Sequence, residues 1–194
     1  MTDGKKAIKT QKAELTPKSD QNPATVPVDD SARLREIRKL VEANNHSTLD
    51  ENLIICQIYM ESRFDAHAGA SHDAKGLFQM QLGGVQQVYK YRKQKERGGR
   101  MPSDAQTKQA FSDGAAMHDS PEIFDEATNI QLGTEYMQYC MQYWLDRSSS
   151  IEDAYKAYRG VDNGIYYKKI SAAATKLAAD PDSMQVLRDM VTTK

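Results

Sequence analysis

Between Leu53 and Met60 the chain reads Leu-Ile-Ile-Cys-Gln-Ile-Tyr-Met, which puts large apolar side chains on nearly every face of one helix. Such a helix has no polar face to give to water, so it belongs in the middle of the protein with the rest of the chain around it. Ser47 and Thr48, each followed three residues later by an acid (Asp50 and Glu51), mark its start. Directly after Met60 comes Glu61. A carboxyl group there meets the negative end of the helix dipole and a partly desolvated setting, and both favour its neutral form. A carboxyl that stays protonated near neutral pH is what a general acid needs. On helix pattern alone Glu61 also reads as a solvated last-turn residue.

The elements around this helix read as helices too. Leu34, Ile37, Leu40 and Val41 share one face of a segment from Ser31 to Asn45. After Leu82-Gly83-Gly84, a helix is expected from Val85 to Lys95. Ser103 with Gln106 caps another that runs to Phe111, and Ser112 to Pro121, with His118, reads as a loop. From Thr128 to Leu145 the stripe Ile130, Gly133, Met137, Cys140, Met141, Trp144 marks a second core helix. Glycine costs about 1 kcal/mol against alanine inside a helix, so Gly133 predicts the close approach of another helix. Tyr136, Tyr139 and Tyr143 suit either sugar stacking or the core. Ser150 with Asp153 caps a helix to Tyr158, Gly160 and Gly164 interrupt it, Ile165 to Ala179 follows, and Pro181-Asp182 opens a short last one. No useful β-alternation occurs, so the class is mainly α.

Charge and composition narrow the partners. The chain has 26 basic and 27 acidic residues, net −1, a balance that argues against nucleic acid and against a membrane surface. Lys90, Arg92, Lys93, Lys95, Arg97 and Arg100, with Tyr89 and Tyr91 among them, fit an anionic polymer, but more simply a solvated helix face. No apolar run reaches membrane-spanning length. His67, His72, Asp65 and Asp73 share the loop Ala66 to Lys75 without a recognised ligand spacing, so no metal is expected there. That loop is better placed to wall a groove near Glu61. Cys56 and Cys140 lie on the two core helices; free buried thiols are the default reading and a disulfide the alternative. Residues 1–30 are polar, carry Pro17, Pro23 and Pro27, and cannot bury enough surface to offset ordering, so they read as a disordered tail. The opening MTDGKKAIKTQKAELTPKSD has no apolar segment of the secretory kind, which predicts synthesis in the cytoplasm and export by a specialised route.

Glu61-Ser62-Arg63-Phe64-Asp65, a loop of small and polar residues, and then Gly76-Leu77-Phe78-Gln79 resemble the soluble lytic transglycosylase family and its relative, goose-type lysozyme. The family pattern is Glu-Ser-x-Phe, a loop, then Gly-Leu-Met-Gln, with Phe78 here in the Met position. Asp125, Asn129-Ile130, Gly133 and Tyr136 follow its Asp-Pro-x-x-Asn-Ile-x-x-Gly-x-x-Tyr-Leu, and Ala157-Tyr158-Arg159-Gly160 stands where it has Ala-Tyr-Asn-x-Gly. The joint order of the blocks is more specific than any one of them. Further departures stand out: Ala70 replaces the usual loop serine, with Ser71 beside it; Asp73 stands where a glycine is usual; and Arg159 replaces asparagine.

The resemblance implies a lysozyme-like single domain over residues 31–194 that cleaves peptidoglycan glycan strands without a cofactor or metal. Glu61 falls on the family's acid/base, and Tyr158 would orient Glu61 or the sugar. Ser62, Ser71, Phe78, Gln79, Asn129 and Tyr136 would meet the substrate, with Gln79 lining the cleft. Most glycosidases use two carboxyl groups. A lytic transglycosylase uses one, which protonates the leaving oxygen and then takes the proton from the muramic acid 6-hydroxyl as that oxygen closes on C1. Goose-type lysozymes use water, aided by loop aspartates, and Asp73 would supply that aid. The tail and compact domain are similar to type VI secretion glycoside hydrolase effectors, which implies a periplasmic immunity protein as partner. The alternatives are a hydrolytic muramidase of a phage or secretion apparatus, and a catalytically weak murein-binding module.

Overall fold

The computed structural model describes residues 30–145 and 150–192, with only the backbone for 143–145. The tail expected over residues 1–30 therefore lies outside the described residues except for Asp30, as do the side chains of Tyr143 and Trp144. The described chain is helical throughout, with no strand and one isolated bridge between Lys75 and Met80. Eight α-helices follow in order: α1 (Ala32–Asn44), α2 (Glu51–Ser62), α3 (Leu82–Glu96), α4 (Asp104–Asp119), α5 (Glu126–Leu145), α6 (Ile151–Arg159), α7 (Ile165–Ala179) and α8 (Met184–Thr192). A 3-10 turn, Pro121–Phe124, joins α4 to α5. None of the described helices is long and apolar enough to cross a membrane.

The apolar α2 is the centre of this arrangement. Ile54, Ile55, Cys56, Gln57 and Ile58 are all fully buried, and α1, α7 and α8 pack around it. The helix starts at Glu51, later than the Ser47/Thr48 signature suggests. Asp50 caps it, its carboxylate accepting the Asn52 N–H, and an anionic acceptor at that end also suits the helix dipole. Leu34, Ile37 and Val41 of α1 face the core as their spacing predicts, and Ile130, Met137, Cys140 and Met141 of α5 are buried. Both cysteines are free, and burial pushes each thiol up to about 12. The capping boxes at Ser103/Gln106 and Ser150/Asp153 are both formed.

Three readings change. The stretch from Ser112 to Pro121 is not a loop: α4 continues to Asp119. Its Ser-Asp-Gly run has a turn-like composition, but Gly114 is where α4 meets α3, and a Cβ there would stand 2.8 Å from the Gln86 Cα. Packing overrides propensity at that point. His118 consequently lies on a helix, only 4% exposed, rather than in a loop. Helix α3 begins at Leu82 rather than Val85, with Gly83 and Gly84 inside its first turn. Gly133 does make room for a close neighbour, but that neighbour is the ring of Phe78, from the turn before α3, and not another helix.

Candidate active site

The site begins where α2 stops. Arg63 takes the left-handed conformation (φ 56°) and its guanidinium folds back onto the Tyr59 and Met60 carbonyls, so its charge is used at the helix end. The following loop is tied to itself: Gly76 N–H donates to Ala68 O (2.9 Å), and Gln79 Nε2 donates to Ala68 O (3.0 Å) and Gly76 O (2.8 Å). Lys75 and Met80 exchange backbone hydrogen bonds, which pinch Gly76–Gln79 into a tight turn.

That turn is clamped from three sides. Phe78 N–H donates to Asn129 Oδ1 (2.8 Å), and its carbonyl accepts from the Tyr158 hydroxyl (2.6 Å). Its ring, fully buried, fills the notch left by Gly133. Asn129 also donates to Ile123 O (2.7 Å) and Lys75 O (3.2 Å). Gly76 has φ +75°, and a Cβ there would overlap the Asn129 amide, so only glycine fits. Phe78, Asn129 and Tyr158, separated in sequence, thus hold one another and fix the wall of the cleft.

A cavity of about 320 Å³ opens beside this turn, lined by Glu61, Gln79, Met80, Tyr136, Tyr158 and Arg159 among others. The Glu61 side chain is 10% exposed. Its Oε1 accepts a short hydrogen bond from the Tyr166 hydroxyl, on the first turn of α7, and faces Arg159 Nη1 at 3.4 Å. The Arg159 guanidinium lies over the Tyr166 ring, 4.7 Å from its centroid. Burial, reinforced by Glu61 nearby, holds the Tyr158 and Tyr166 phenols well above their ordinary range, so both remain hydrogen-bond donors. Burial likewise pushes Tyr136 up to about 12.

The structure brings Glu61, Gln79, Tyr136 and Tyr158 to one cleft, with Phe78 and Asn129 directly behind it. Ser62 is buried and donates to Ile58 O (3.1 Å) within the helix; Ser71 is exposed on the loop. Asp73 does not join the cleft. Its side chain is 60% exposed, its Oδ1 accepts from Leu82 N–H (3.4 Å) at the start of α3, and its carbonyl meets His118 Nε2 at 2.8 Å. Ala74, the next residue, does line the cleft, so the loop walls it as expected. Among the described residues no three His, Cys, Asp or Glu side chains converge on a metal-sized site. Tyr166 is the residue sequence reasoning missed. Its only signal is the pair Tyr166-Tyr167 at a helix start, and nothing local says that α7 returns to the end of α2.

An all-helical domain with a nearly buried carboxyl at the end of its central helix, set in a cleft of tyrosines and amides, is of the lysozyme-like class. The family description of the transglycosylase SLT domain matches residues 40–176, well over half of the chain, and the protein belongs to that family. Membership makes the glycosidic bonds of peptidoglycan its class of target and the cell wall its place of action. Neither curated proteins nor solved structures give a match.

Proposed function

We propose that the protein cuts the β-1,4 bond between N-acetylmuramic acid and N-acetylglucosamine, with Glu61 as general acid and then general base. The observation that carries this reading is that Glu61 is the one carboxyl group lining the cleft among the described residues, held there by Tyr166. Its proton passes to the glycosidic oxygen as the bond to C1 breaks. The carboxylate so formed accepts the proton of the muramic acid 6-hydroxyl as that oxygen bonds to C1, which closes a 1,6-anhydro ring and restores the acid. Gln79 and Tyr136 contact the glycan from the cleft wall, and Tyr158, with Phe78 and Asn129, keeps that wall in place. Ser62 secures the end of the helix that carries Glu61.

The biological reading is an exported or injected antibacterial effector, countered by a periplasmic immunity protein that covers the cleft. Its support is one of organisation: a polar leading segment before a single wall-cutting domain.

Replacing Glu61 by Gln keeps the size of the side chain and removes the proton it donates. Lysis of purified sacculi should fall by about two orders of magnitude or more, with the circular dichroism spectrum unchanged. Near wild-type lysis by this variant would remove Glu61 from its role and favour a murein-binding module. Directed to the periplasm by an added signal peptide, the wild type should be toxic to the host and the Glu61→Gln variant harmless.

A further inference from the structure

Arg159 stands where the family has an asparagine, and the cleft around it has the makings of an anion site. It is the only cationic side chain lining the cleft among the described residues, since Arg63 is turned onto the carbonyls of α2. Its guanidinium lies over the Tyr166 ring, 4.7 Å from the centroid, a cation–π contact that holds it in place without using the N–H groups. Of the five donors a guanidinium carries, only Nη1 is directed at a partner, Glu61, and at 3.4 Å that contact is longer than the roughly 2.7–2.9 Å of a good charge-assisted bond. The side chain is 41% exposed and lines the cleft, which leaves its other donors open to a bound group. A planar fork of this kind binds a carboxylate through two parallel hydrogen bonds, which the asparagine of the family pattern cannot do.

We propose that Arg159 forms a carboxylate-recognising subsite, which takes the anionic arm of the muramyl residue beside the scissile bond and makes the cleft selective for acidic glycan over its neutral counterpart. This rests on the reading of the cleft as a peptidoglycan site. The carboxylate comes either from the free lactyl group of N-acetylmuramic acid or from the stem peptide attached to it, and the chemistry recognised is the same.

The test is binding rather than turnover, so that it does not depend on the assignment of Glu61. The disaccharide N-acetylglucosaminyl-N-acetylmuramic acid lacks the bond to be cut. It is titrated by calorimetry in three forms: with the free lactyl acid, with a dipeptide bearing free carboxylates, and with every carboxylate converted to an amide. Wild-type protein should bind at least one acidic form about tenfold or more tightly than the amide. Preference for the free lactyl form alone places the contact at the lactyl group, preference for the dipeptide form alone places it on the stem, and preference for both shows that the fork takes a carboxylate at either position. In Arg159→Gln the acidic and amide forms should bind within about twofold of each other, while Arg159→Lys keeps part of the preference and thermal melting confirms the fold of both. Equal affinities in the wild type, no binding of any form, or a preference that survives Arg159→Gln would overturn the proposal. Failure of Glu61→Gln to abolish lysis would instead overturn the proposed chemistry and leave this binding result standing.

Discussion

Glu61 owes its place to a residue 105 positions further along the chain, since the hydroxyl of Tyr166 is the group that grips its carboxyl group. Such a hydrogen bond contributes about 0.5–1.5 kcal/mol to a neutral acid and about 1.5–3 kcal/mol to the carboxylate that forms as the proton leaves. If that bond keeps Glu61 aimed at the leaving oxygen, Tyr166→Phe should lower kcat about ten- to a hundredfold, with little change in KM and in melting temperature. Steady-state kinetics on soluble glycan strands read it. One turn before Glu61, Gln57 is 0% exposed and its amide lies beside the Tyr158 hydroxyl, whose own bond goes to the Phe78 carbonyl; neither amide atom finds a hydrogen bond of good geometry. An unpaired buried amide opposes folding, so Gln57→Met, similar in length and apolar, should leave stability unchanged or raise it. A loss of more than about 2 kcal/mol in denaturant unfolding would mean that the amide is paired after all. Glu61, Gln79 and Tyr158 were legible in the sequence because they sit in short motifs with fixed spacing. Tyr166 was not, because its contact is made only when α7 folds back against α2, and Arg159 was visible only as a departure from a pattern.

At the level of elements, the two downstream motif blocks share one physical reason for occurring together: both grip the Gly76–Gln79 turn. Asn129 takes the Phe78 N–H, Tyr158 takes the Phe78 carbonyl, and Gly133 leaves the notch that the Phe78 ring fills. Gly133→Ala tests this directly. Alanine gains about 1 kcal/mol of helix propensity, but its methyl group would overlap the fully buried Phe78 ring. Overpacking of this kind costs about 1–3 kcal/mol, so denaturant unfolding should show a net loss, and lysis should fall further than the stability because the cleft wall shifts with Phe78. The helices with an apolar stripe, α1 and α5, were readable from periodicity, and α6 from its capping box. The second half of α4 was hidden because Ser112-Asp113-Gly114 has the composition of a turn, and only contact with α3 makes the glycine an asset. The partner of Gly133 was hidden for a related reason: a helical glycine announces a close approach without saying whether a helix or a loop side chain makes it.

Seen as a whole molecule, part of the basic charge on α3 is paired within the protein. Arg92 pairs with the buried Glu135 (2.6 Å), Lys93 with Glu96 (2.8 Å), and Lys95 lies over the Tyr91 ring at 4.7 Å, so these members of the basic run on α3 have partners within the protein. At the cleft the Glu61 carboxyl group and the Arg159 guanidinium lie 3.4 Å apart, and this composition bears on which product is formed. A hydrolytic route in an inverting site needs a second carboxylate about 6.5–9.5 Å from the acid to activate water. Asp73 was the sequence's offer for that base, yet its largely exposed carboxylate accepts from the Leu82 N–H (3.4 Å) at the start of α3 and lies outside the cleft lining. With Glu61 the only carboxyl lining the cleft among the described residues, the attacking group is best supplied by the substrate itself, through the muramic acid 6-hydroxyl. Mass spectrometry of the released muropeptides should therefore find mainly 1,6-anhydro ends, lighter by one water than reducing ends. Asp73→Asn should leave that ratio unchanged, because it touches a helix start and not the reacting sugar. A digest made up of reducing ends, lost on Asp73→Asn, would mean that the loop brings Asp73 to the cleft when glycan binds and that the protein is a muramidase using water.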